Sequence, residues 1–213
     1  YLYSRFTSYK LVMISKPKFK ICRRLGPGVY DKCQTSKFRA PTFKGGFSGK
    51  RRPKAPSEYG AQLLEKQKIR FSYGISERQL SNYVKSVSHI KGAGTAEKLY
   101  EGLESRLDNA IYRMGLCSSR RAARQMVSHG HIVVNDKKIT VPSHKLKSGD
   151  VIKIREGSKV KKIFTDLSER MKDYTSPSWL TFDLSSMEGK ILDAPKNTEG
   201  FLDLNAVLEF YSR

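Results

Sequence analysis

The chain has 213 residues, with 41 Lys plus Arg against 20 Asp plus Glu, so its formal net charge is +21. A charge this positive favours a polyanionic partner such as nucleic acid. A basic membrane-surface protein is the alternative. The sequence nevertheless has no run of about 18 apolar residues and no dominant amphipathic lysine-rich helix, so we expect no membrane partner. The length allows one large domain or two small ones.

The charge is unevenly distributed along the chain. Residues 1–56 carry 15 basic residues and one acidic residue, whereas residues 165–213 are net acidic. We therefore expect the polyanion to contact the first three quarters of the chain. The acidic C-terminal part is expected to fold back on the protein or to face another protein.

Only three cysteines are present, namely Cys22, Cys33 and Cys117. Their odd number and wide spacing argue against a secreted disulfide framework and favour a reducing compartment. Cys22 and Cys33 supply at most half of a zinc site, because all four histidines lie far downstream. The sequence therefore predicts no metal site and no cofactor.

Residues 1–56 are predicted to form an irregular basic arm. From residue 15 onward the arm contains Gly and Pro throughout and has hardly any apolar periodicity, so it cannot build its own core and should become ordered on a partner. Its first twenty residues lack acidic side chains, a composition compatible with the remnant of an organellar leader or with a simple basic tail.

Three helices are predicted after the arm. The first begins at the capping residue Ser57 and ends at Gly74, and the second begins with a capping box formed by Ser76 and Gln79. The third starts near Thr95. It carries a stripe of core residues at helical spacing, namely Leu99, Leu103, Leu107, Ile111 and Met114.

A fourth helix begins at Ser118 or Ser119 and stops at His129, where Gly130 provides a left-handed cap. The pattern then changes to strands: "HIVV" and "KKITV" are joined by an Asn-Asp turn, and "GDVIKI" forms a third strand. One more helix is expected from residue 159. It is followed by strands near "SWLTFDL" and "GKILDA" and by a last helix near "LNAVLEF".

These elements predict an α+β fold with three parts. A mostly helical domain with short C-terminal strands comprises residues 57–103 and 156–213. A small helix-helix-β-hairpin module, residues 104–155, is inserted into it. The irregular basic N-terminal arm precedes both.

The helix from Ser119 to His129 has one apolar and one basic side. Arg120, Arg121, Arg124, Gln125 and Ser128 lie together, because spacings of three and four place side chains on one face. Like charges at these spacings repel, but a phosphate across them reverses the effect. A solvated charged face is the alternative, although such faces usually mix both signs. The pattern therefore predicts a phosphate-binding face.

The two histidines beside Gly130 support the same interpretation. His129 and His131 are expected to leave the turn toward whatever the arginines contact, where an imidazole can bind phosphate or a 2′-hydroxyl or stack on a base. As metal ligands they lack further partners at a recognisable spacing. As a catalytic pair they lack a nucleophile or a carboxylate, apart from Asp136. We therefore predict no catalytic residues.

Several motifs in collinear order resemble the bacterial and organellar form of the small-subunit ribosomal protein four family. They are "EYGAQLLEKQKIRFSYGISERQL", "ESRLDNAIYRMG", "SSRRAARQMVSHGHIVVND", "VPSHKLKSGDVIKI" and "LEFYSR". The match extends from about Lys16 to Arg213. The resemblance implies a structural, non-enzymatic protein of the small ribosomal subunit, in a bacterial cytoplasm, a mitochondrion or a plastid.

The resemblance also implies partners. The protein is expected to bind small-subunit rRNA first, to nucleate assembly of the subunit body, and to contact the fifth small-subunit protein. It is further expected to line the channel through which mRNA enters and to contribute to translation accuracy. The resemblance also implies that the module at 104–155 is the family's RNA-binding domain.

The resemblance implies these RNA-binding positions in the module: Arg106, Arg113, Ser119, Arg120, Arg121, Arg124, Gln125, His129, His131, Asn135 and Lys137. We further predict RNA binding by Ser128 and Lys138 in the module and by Lys66, Lys68 and Arg70 in the first helix. The basic cluster expected at the mRNA channel consists of Lys50, Arg51, Arg52 and Lys54.

Two departures from the family pattern are visible. Many relatives carry four N-terminal cysteines that bind zinc, whereas only Cys22 and Cys33 are present here, so the chain resembles the zinc-free branch. Asp136 replaces the usual glycine after Asn135, which keeps the turn but adds a negative charge beside the RNA face.

Two other functions fit parts of the pattern. RNA-modifying enzymes such as pseudouridine synthases contain the same small module, and "RLD" at 106–108 resembles their catalytic signature. The chain has no remaining segment of about 200 residues for their catalytic domain, and Asp108 is predicted inside a regular helix. A free-standing translational regulator that binds mRNA is the other alternative, but the long basic arm favours the ribosome.

Overall fold

The computed structural model describes residues 17–38, 57–89, 94–165, 167–171, 174–196 and 200–213. In these residues the helices are α1 (Lys18–Leu25), α2 (Glu58–Ser72), α3 (Glu77–Ser88), α4 (Thr95–Glu104), α5 (Leu107–Arg113), α6 (Arg120–Ser128), α7 (Glu156–Lys159), α8 (Lys162–Thr165), α9 (Leu167–Met171) and α10 (Leu204–Ser212). The strands are β1 (Ile132–Val134), β2 (Lys137–Lys138), β3 (Val151–Ile154), β4 (Leu180–Asp183) and β5 (Glu188–Ile191). The predicted α+β class is confirmed.

The helical core is built by α2, α3, α4 and α10. The Ser57 hydroxyl caps α2 by accepting from the Gly60 amide at 3.2 Å, and both halves of the predicted Ser76–Gln79 capping box begin α3. Buried apolar side chains from all four helices fill the space between them. They include Ile69, Tyr73, Leu80, Val84, Leu99, Leu103, Leu204 and Val207.

The predicted third helix is wrong in its length, because it is two helices. α4 ends at Glu104 and α5 begins at Leu107, and between them Arg106 is extended (φ −69°, ψ 140°) and bridges to Lys145. The apolar stripe continues across this break, but its two halves enter different cores. Leu99 and Leu103 belong to the helical core, whereas the second core receives Leu107, Ile111 and Met114.

The sheet is antiparallel and has the order β2-β1-β3-β5-β4. The predicted turn between β1 and β2 is confirmed, with Asn135 (φ 47°) and Asp136 (φ 62°) both left-handed. Two left-handed residues in succession match the right-handed twist of the strands they join. α5 and α6 cover the sheet with Ile111, Met126 and Val127, which are fully or almost fully buried.

The C-terminal strands belong to the sheet of the module and not to the helical domain. β5 pairs with β3, so that Ile152 lies opposite Gly189, and Trp179, Leu180 and Ile191 join the core beneath the sheet. β3 would otherwise be an open edge, and its pairing with β5 satisfies backbone groups that the hairpin leaves unpaired. β4 and β5 therefore extend the sheet of the module, whereas α10 packs in the helical core. The domain bounds given above stay a prediction.

Part of the predicted irregular arm is folded. α1 is followed by two short 3-10 turns, and Ile21, Leu25 and Val29 pack against Leu64 and Phe71 of α2. These few apolar residues cannot form a core alone, and they use the surface of α2 instead. The remaining part of the arm that carries Lys50, Arg51, Arg52 and Lys54 lies outside the described residues.

Cys22 and Cys33 form a disulfide that joins α1 to the second 3-10 turn. Both residues are buried, whereas Cys117 is a buried thiol in the second core. The number and spacing of the cysteines did not predict this crosslink. Cys22 and Cys33, 11 positions apart, meet because the backbone between them turns back on itself.

Candidate RNA-binding surface

Helix α6 is positioned by a cap at each end and by its apolar side. The Ser119 hydroxyl accepts from the Ala122 amide at 3.3 Å, and Gly130 (φ 70°) ends the helix in the left-handed conformation. Ala123 and Val127 are fully buried. The predicted helix and both caps are confirmed, and the Ser119 side chain thereby has a structural role inside the chain.

Four of the predicted RNA-binding arginines form a cluster with two acidic residues, which we call the inner arginine cluster. Its cations are Arg106, Arg113, Arg120 and Arg124, and its anions are Glu104 and Asp108. The acidic residues come from the end of α4 and the start of α5. They therefore lie beside α6 without belonging to it.

Glu104 holds two of these arginines. Arg113 donates from Nε to Oε2 at 3.0 Å and from Nη2 to Oε1 at 3.1 Å, and Arg120 Nη2 lies 4.0 Å from Oε1. The hydroxyl of Tyr73 donates to Oε1 at 2.6 Å, and the amide of Asn109 donates to Oε2 at 2.8 Å. The carboxylate is fully buried, and both of its oxygens are used.

Asp108 binds the other two arginines of the cluster, Arg106 and Arg124. Arg106 forms a bidentate pair with it, with distances of 2.9 and 2.8 Å, and Arg124 donates twice to Oδ2 at 2.9 and 2.8 Å. Arg124 also donates to the carbonyl of Gly74 at 2.6 Å, which ties α6 to the end of α2. The Arg106 side chain is only 3% exposed.

The pKa values follow from this arrangement. Burial opposes ionisation of Glu104, but the charges of Arg113 and Arg120 outweigh burial and lower its pKa. Burial and then the neighbouring Glu104 raise the pKa of Tyr73 well above its usual value. Glu104 is therefore held in its ionised form, and the Tyr73 phenol beside it stays neutral.

The expectation of an acid-free basic face is corrected by these contacts. α6 itself contains no acidic residue, but Glu104 and Asp108 partly neutralise its arginines from the neighbouring helices. Arg106 is buried in its ion pair, so its side chain does not face solvent as predicted. The stretch "ESRLD" contains both acids and was the available signal. Charges counted along one helix cannot include side chains that tertiary packing brings beside it.

The opposite side of α6 is exposed, and we call it the outer surface. It consists of Arg121, Gln125, Ser128 and His129 on α6, together with Lys137 and Lys138 on β2. The end of the Lys138 side chain lies over Gly130, so the hairpin contacts the end of α6. Within the described residues, Arg121, Lys137 and Lys138 have no ion-pair partner, so these cations are available to an external anion.

His131 does not reach the outer surface, and this prediction is corrected. It enters β1 with its side chain turned inward: its Nδ1 lies 2.9 Å from the Ser158 hydroxyl, and its ring meets Phe164 edge to face. Burial, followed by the nearby charge of Lys161, lowers the pKa of His131. The side chain is an internal anchor for the turn that follows β3.

Asn135 is exposed but already engaged. Its amide nitrogen donates to Asp150 at 2.8 Å, and its amide oxygen accepts from the Val151 backbone at 2.9 Å. The side chain therefore fixes the start of β3 against the hairpin turn. A role in RNA binding remains a prediction for this residue.

The three basic residues predicted on α2 have partners within the chain. Lys66 is 7% exposed, bonds Glu77 at 2.9 Å and lies over the ring of Phe210 at 4.2 Å. Arg70 also pairs with Glu77, at 3.1 Å, and Lys68 pairs with Glu65. The buried position of Lys66 contradicts its prediction as an RNA-facing residue, because its ammonium joins α2 to α3 and α10.

Two exposed cations were missed by the sequence reasoning. Arg155 and Lys161 flank α7, which contains Ser158, and lie near His131, whose pKa they help to lower. They follow the strand at the end of the predicted module. No local motif marks them, because their position beside the end of α6 depends on the pairing of β3 with β1.

The described part of the chain contains neither a cluster of three or more metal-binding side chains nor a helix long and apolar enough to cross a membrane. Asp108 lies in a helix as predicted, in the first turn of α5. Its carboxylate is saturated by two arginines, so it does not have the accessible geometry of a catalytic carboxylate.

Comparison with known families agrees with this geometry. The model of the S4 domain matches residues 105–152, and the model of the ribosomal protein S4/S9 N-terminal domain matches residues 14–104. The fold and the outer surface, together with these matches, define an RNA-binding protein built around an S4 domain.

Full-length relatives narrow the assignment further. Small ribosomal subunit protein uS4 of Halothermothrix orenii is 40% identical over 204 residues, covering 92% of this chain and 97% of the relative. The uS4 proteins of Thermus thermophilus and Acinetobacter baumannii are each 40% identical with the same coverage. The chain belongs to the ribosomal protein S4 family.

Proposed function

We propose that this protein is a structural, non-enzymatic component of the small ribosomal subunit and that it binds the rRNA of that subunit through the outer surface. The observation that carries the proposal is the exposure of Arg121, Lys137 and Lys138 on adjoining elements without an ion-pair partner among the described residues. Exposed cations without a partner inside the chain are suited to binding phosphates.

The remaining exposed groups of the outer surface add chemistry that RNA requires. Gln125, Ser128 and His129 offer donors and acceptors at helical spacing beside Arg121. Such groups bind 2′-hydroxyls and base edges, which phosphate contacts alone do not distinguish. The inner arginine cluster has another role in this proposal, because it holds α6 against α5 and α2 so that the outer surface is rigid.

The finer functions are also proposals. Nucleation of the assembly of the subunit body, contact with the fifth small-subunit protein, and a place at the channel through which mRNA enters all rest on the family resemblance. The same holds for the contribution to translation accuracy and for a bacterial or organellar location. The predicted channel residues Lys50, Arg51, Arg52 and Lys54 fall outside the described residues, so the support for them is their sequence alone.

The test is a binding measurement between the full chain and a small-subunit rRNA fragment over a range of salt concentrations. We expect Arg121→Glu combined with Lys137→Glu to weaken binding by more than tenfold. The slope of the logarithm of the binding constant against the logarithm of the salt concentration should become shallower by about 0.9 for each lost phosphate contact. Lys85→Glu, at an exposed position on α3, is the matched control for a reversed charge and should change binding much less. An equal loss of rRNA affinity in the double variant and in Lys85→Glu would contradict the proposal.

A further inference from the structure

A cavity of about 230 Å³ lies between the second 3-10 turn, the end of α2, α5 and the start of α6. Its walls include Asp31, Gln34, Tyr73, Tyr112, Arg120 and Phe201. It lies on the inner side of α6 and does not include the residues of the outer surface. It is smaller than the roughly 300–1,000 Å³ of typical small-molecule pockets, so it can hold one ring system but not a stack of several.

Flat groups line this cavity. The guanidinium carbon of Arg120 lies 4.3 Å from the ring centre of Tyr112 and 4.9 Å from that of Tyr73, so Arg120 contacts both rings. The ring of Phe201, which is 36% exposed, stands at the wall of the cavity. Aromatic rings and guanidinium planes are the surfaces on which proteins stack unpaired bases.

The charges in the cavity disfavour a phosphate as its occupant. Arg113 and Arg120 both contribute to the wall, but Glu104 behind them already compensates their charge. Asp31 adds a carboxylate on the wall itself. A phosphate would therefore meet nearly balanced charges, whereas a neutral planar group avoids the repulsion from Asp31.

The polar groups on the wall indicate which edge of a ring they would contact. Asp31 Oδ1 accepts from the Tyr112 hydroxyl, and Oδ2 has no hydrogen-bond or ion-pair partner among the described residues. Gln34 beside it is exposed. The Ser72 hydroxyl, in the wall at the end of α2, is buried without a partner in the described part of the chain. A carboxylate accepts two adjacent N–H groups, and among the RNA bases guanine presents such a pair on its Watson–Crick edge.

We propose that this cavity receives one unstacked base of the bound RNA, with guanine preferred over the other bases. The base stacks on the aromatic wall, and its N1–H and amino group donate to Asp31. This inference deepens the proposed rRNA-binding function and rests on it. It adds a base-reading site to the phosphate-binding outer surface on the opposite side of α6.

The first test uses the full chain and free nucleotides. We expect guanosine monophosphate to bind with a millimolar Kd, measured by equilibrium dialysis, and ribose 5-phosphate to bind at least about tenfold more weakly. Asp31→Asn should weaken guanosine monophosphate binding about tenfold, because it replaces a charged acceptor by a neutral amide. Glu97→Gln, which removes an exposed carboxylate on α4, should leave that affinity unchanged.

Thermal unfolding of each variant is measured alongside, because Asp31 also accepts from Tyr112. Should Asp31→Asn lower the unfolding midpoint, Gln34→Ala replaces it as the decisive variant, since Gln34 is exposed and its loss should weaken binding of the nucleotide but not the fold. A second readout places p-benzoylphenylalanine at position 201 and maps its crosslink on bound rRNA. We expect the crosslink at an unpaired guanosine.

Three outcomes overturn the inference. Equal binding of ribose 5-phosphate and guanosine monophosphate would identify a phosphate site. Undetectable binding of the nucleotide at about 20 mM, with rRNA binding intact, would remove the base site and leave the proposed function standing. A crosslink confined to base-paired helices would also contradict it. Loss of rRNA affinity to the level of non-specific binding would instead count against the proposed function itself.

Discussion

The two sides of α6 carry the same residue type in opposite settings. Arg120 and Arg124 face inward, where Glu104 and Asp108 neutralise them in a mostly buried network. Arg121 faces outward and has no ion-pair partner among the described residues. A buried arginine stabilises the fold through a network that must be complete, whereas an exposed one contributes little to the fold and is available to a ligand. Sequence alone makes these neighbouring residues look equivalent.

The largest expected effect comes from breaking the inner side. Glu104→Gln removes the charge that Arg113 and Arg120 share, and it should lower the free energy of unfolding by about 3–5 kcal/mol, because it leaves buried cations uncompensated. Urea unfolding followed by circular dichroism measures this change. Glu97→Gln is the matched control and should stay within about 0.5 kcal/mol of the unmodified protein.

The next experiment compares the two sides directly by charge reversal. Arg124→Glu places a carboxylate beside Asp108 and removes the bond to the Gly74 carbonyl, so we expect a loss of about 2–4 kcal/mol in stability. Arg121→Glu should change stability by less than about 0.5 kcal/mol and weaken RNA binding instead. Similar unfolding midpoints for the two variants would mean that α6 has no inner and outer side in solution.

Acid should weaken the inner side in a defined pH range. The pKa of Glu104 is lowered in the folded protein from an ordinary value of 4.5. Its stabilising contribution is therefore complete above that value and is lost as the pH falls through the folded-state pKa. We expect urea midpoints to drop below about pH 4.5, with a shallower drop in Glu104→Gln. An identical drop in both proteins would assign the acid sensitivity to other groups.

The smallest effect is expected at His131. Burial lowers its pKa below the ordinary 6.5, so its contribution to stability is fully present above that value and declines as the pH falls through the lower folded-state pKa. We expect His131→Gln to reduce the difference in unfolding midpoint between about pH 7.5 and pH 5. His129→Gln is the matched control on the outer surface. A larger change in the control than in His131→Gln would contradict the inward position of His131.

Local signals in the sequence predicted much of the fold. The caps at Ser57, Ser76 and Ser119, the left-handed Gly130 and the Asn-Asp turn were all predicted, because each depends on a few adjacent residues. The sequence did not reveal the break at Arg106, since apolar spacing continues across it into a different core. The sequence also did not reveal the pairing of β5 with β3, because the two strands are separated by a long stretch of chain.

The sequence predicted which residues lie around α6, but it predicted only some of the directions in which their side chains point. Arg121, Gln125 and His129 are exposed as expected, because helical periodicity fixes their side of α6. Arg106, His131 and Lys66 are buried against Asp108, Ser158 and Glu77, of which Ser158 and Glu77 lie on other elements. Partners supplied by distant segments decide which cations remain available. No charge pattern within one helix contains that information.

The pairing of β3 with β5 has a consequence for the order in which the protein is synthesised. The hairpin and α6 leave the translating ribosome before β5 and β4 exist, because Ile154 precedes Glu188 along the chain. During that interval Ile152 and Ile154 lie on an exposed strand edge, the kind of edge that pairs with other chains. A nascent chain arrested within this interval therefore carries the outer surface before the sheet that supports it is complete.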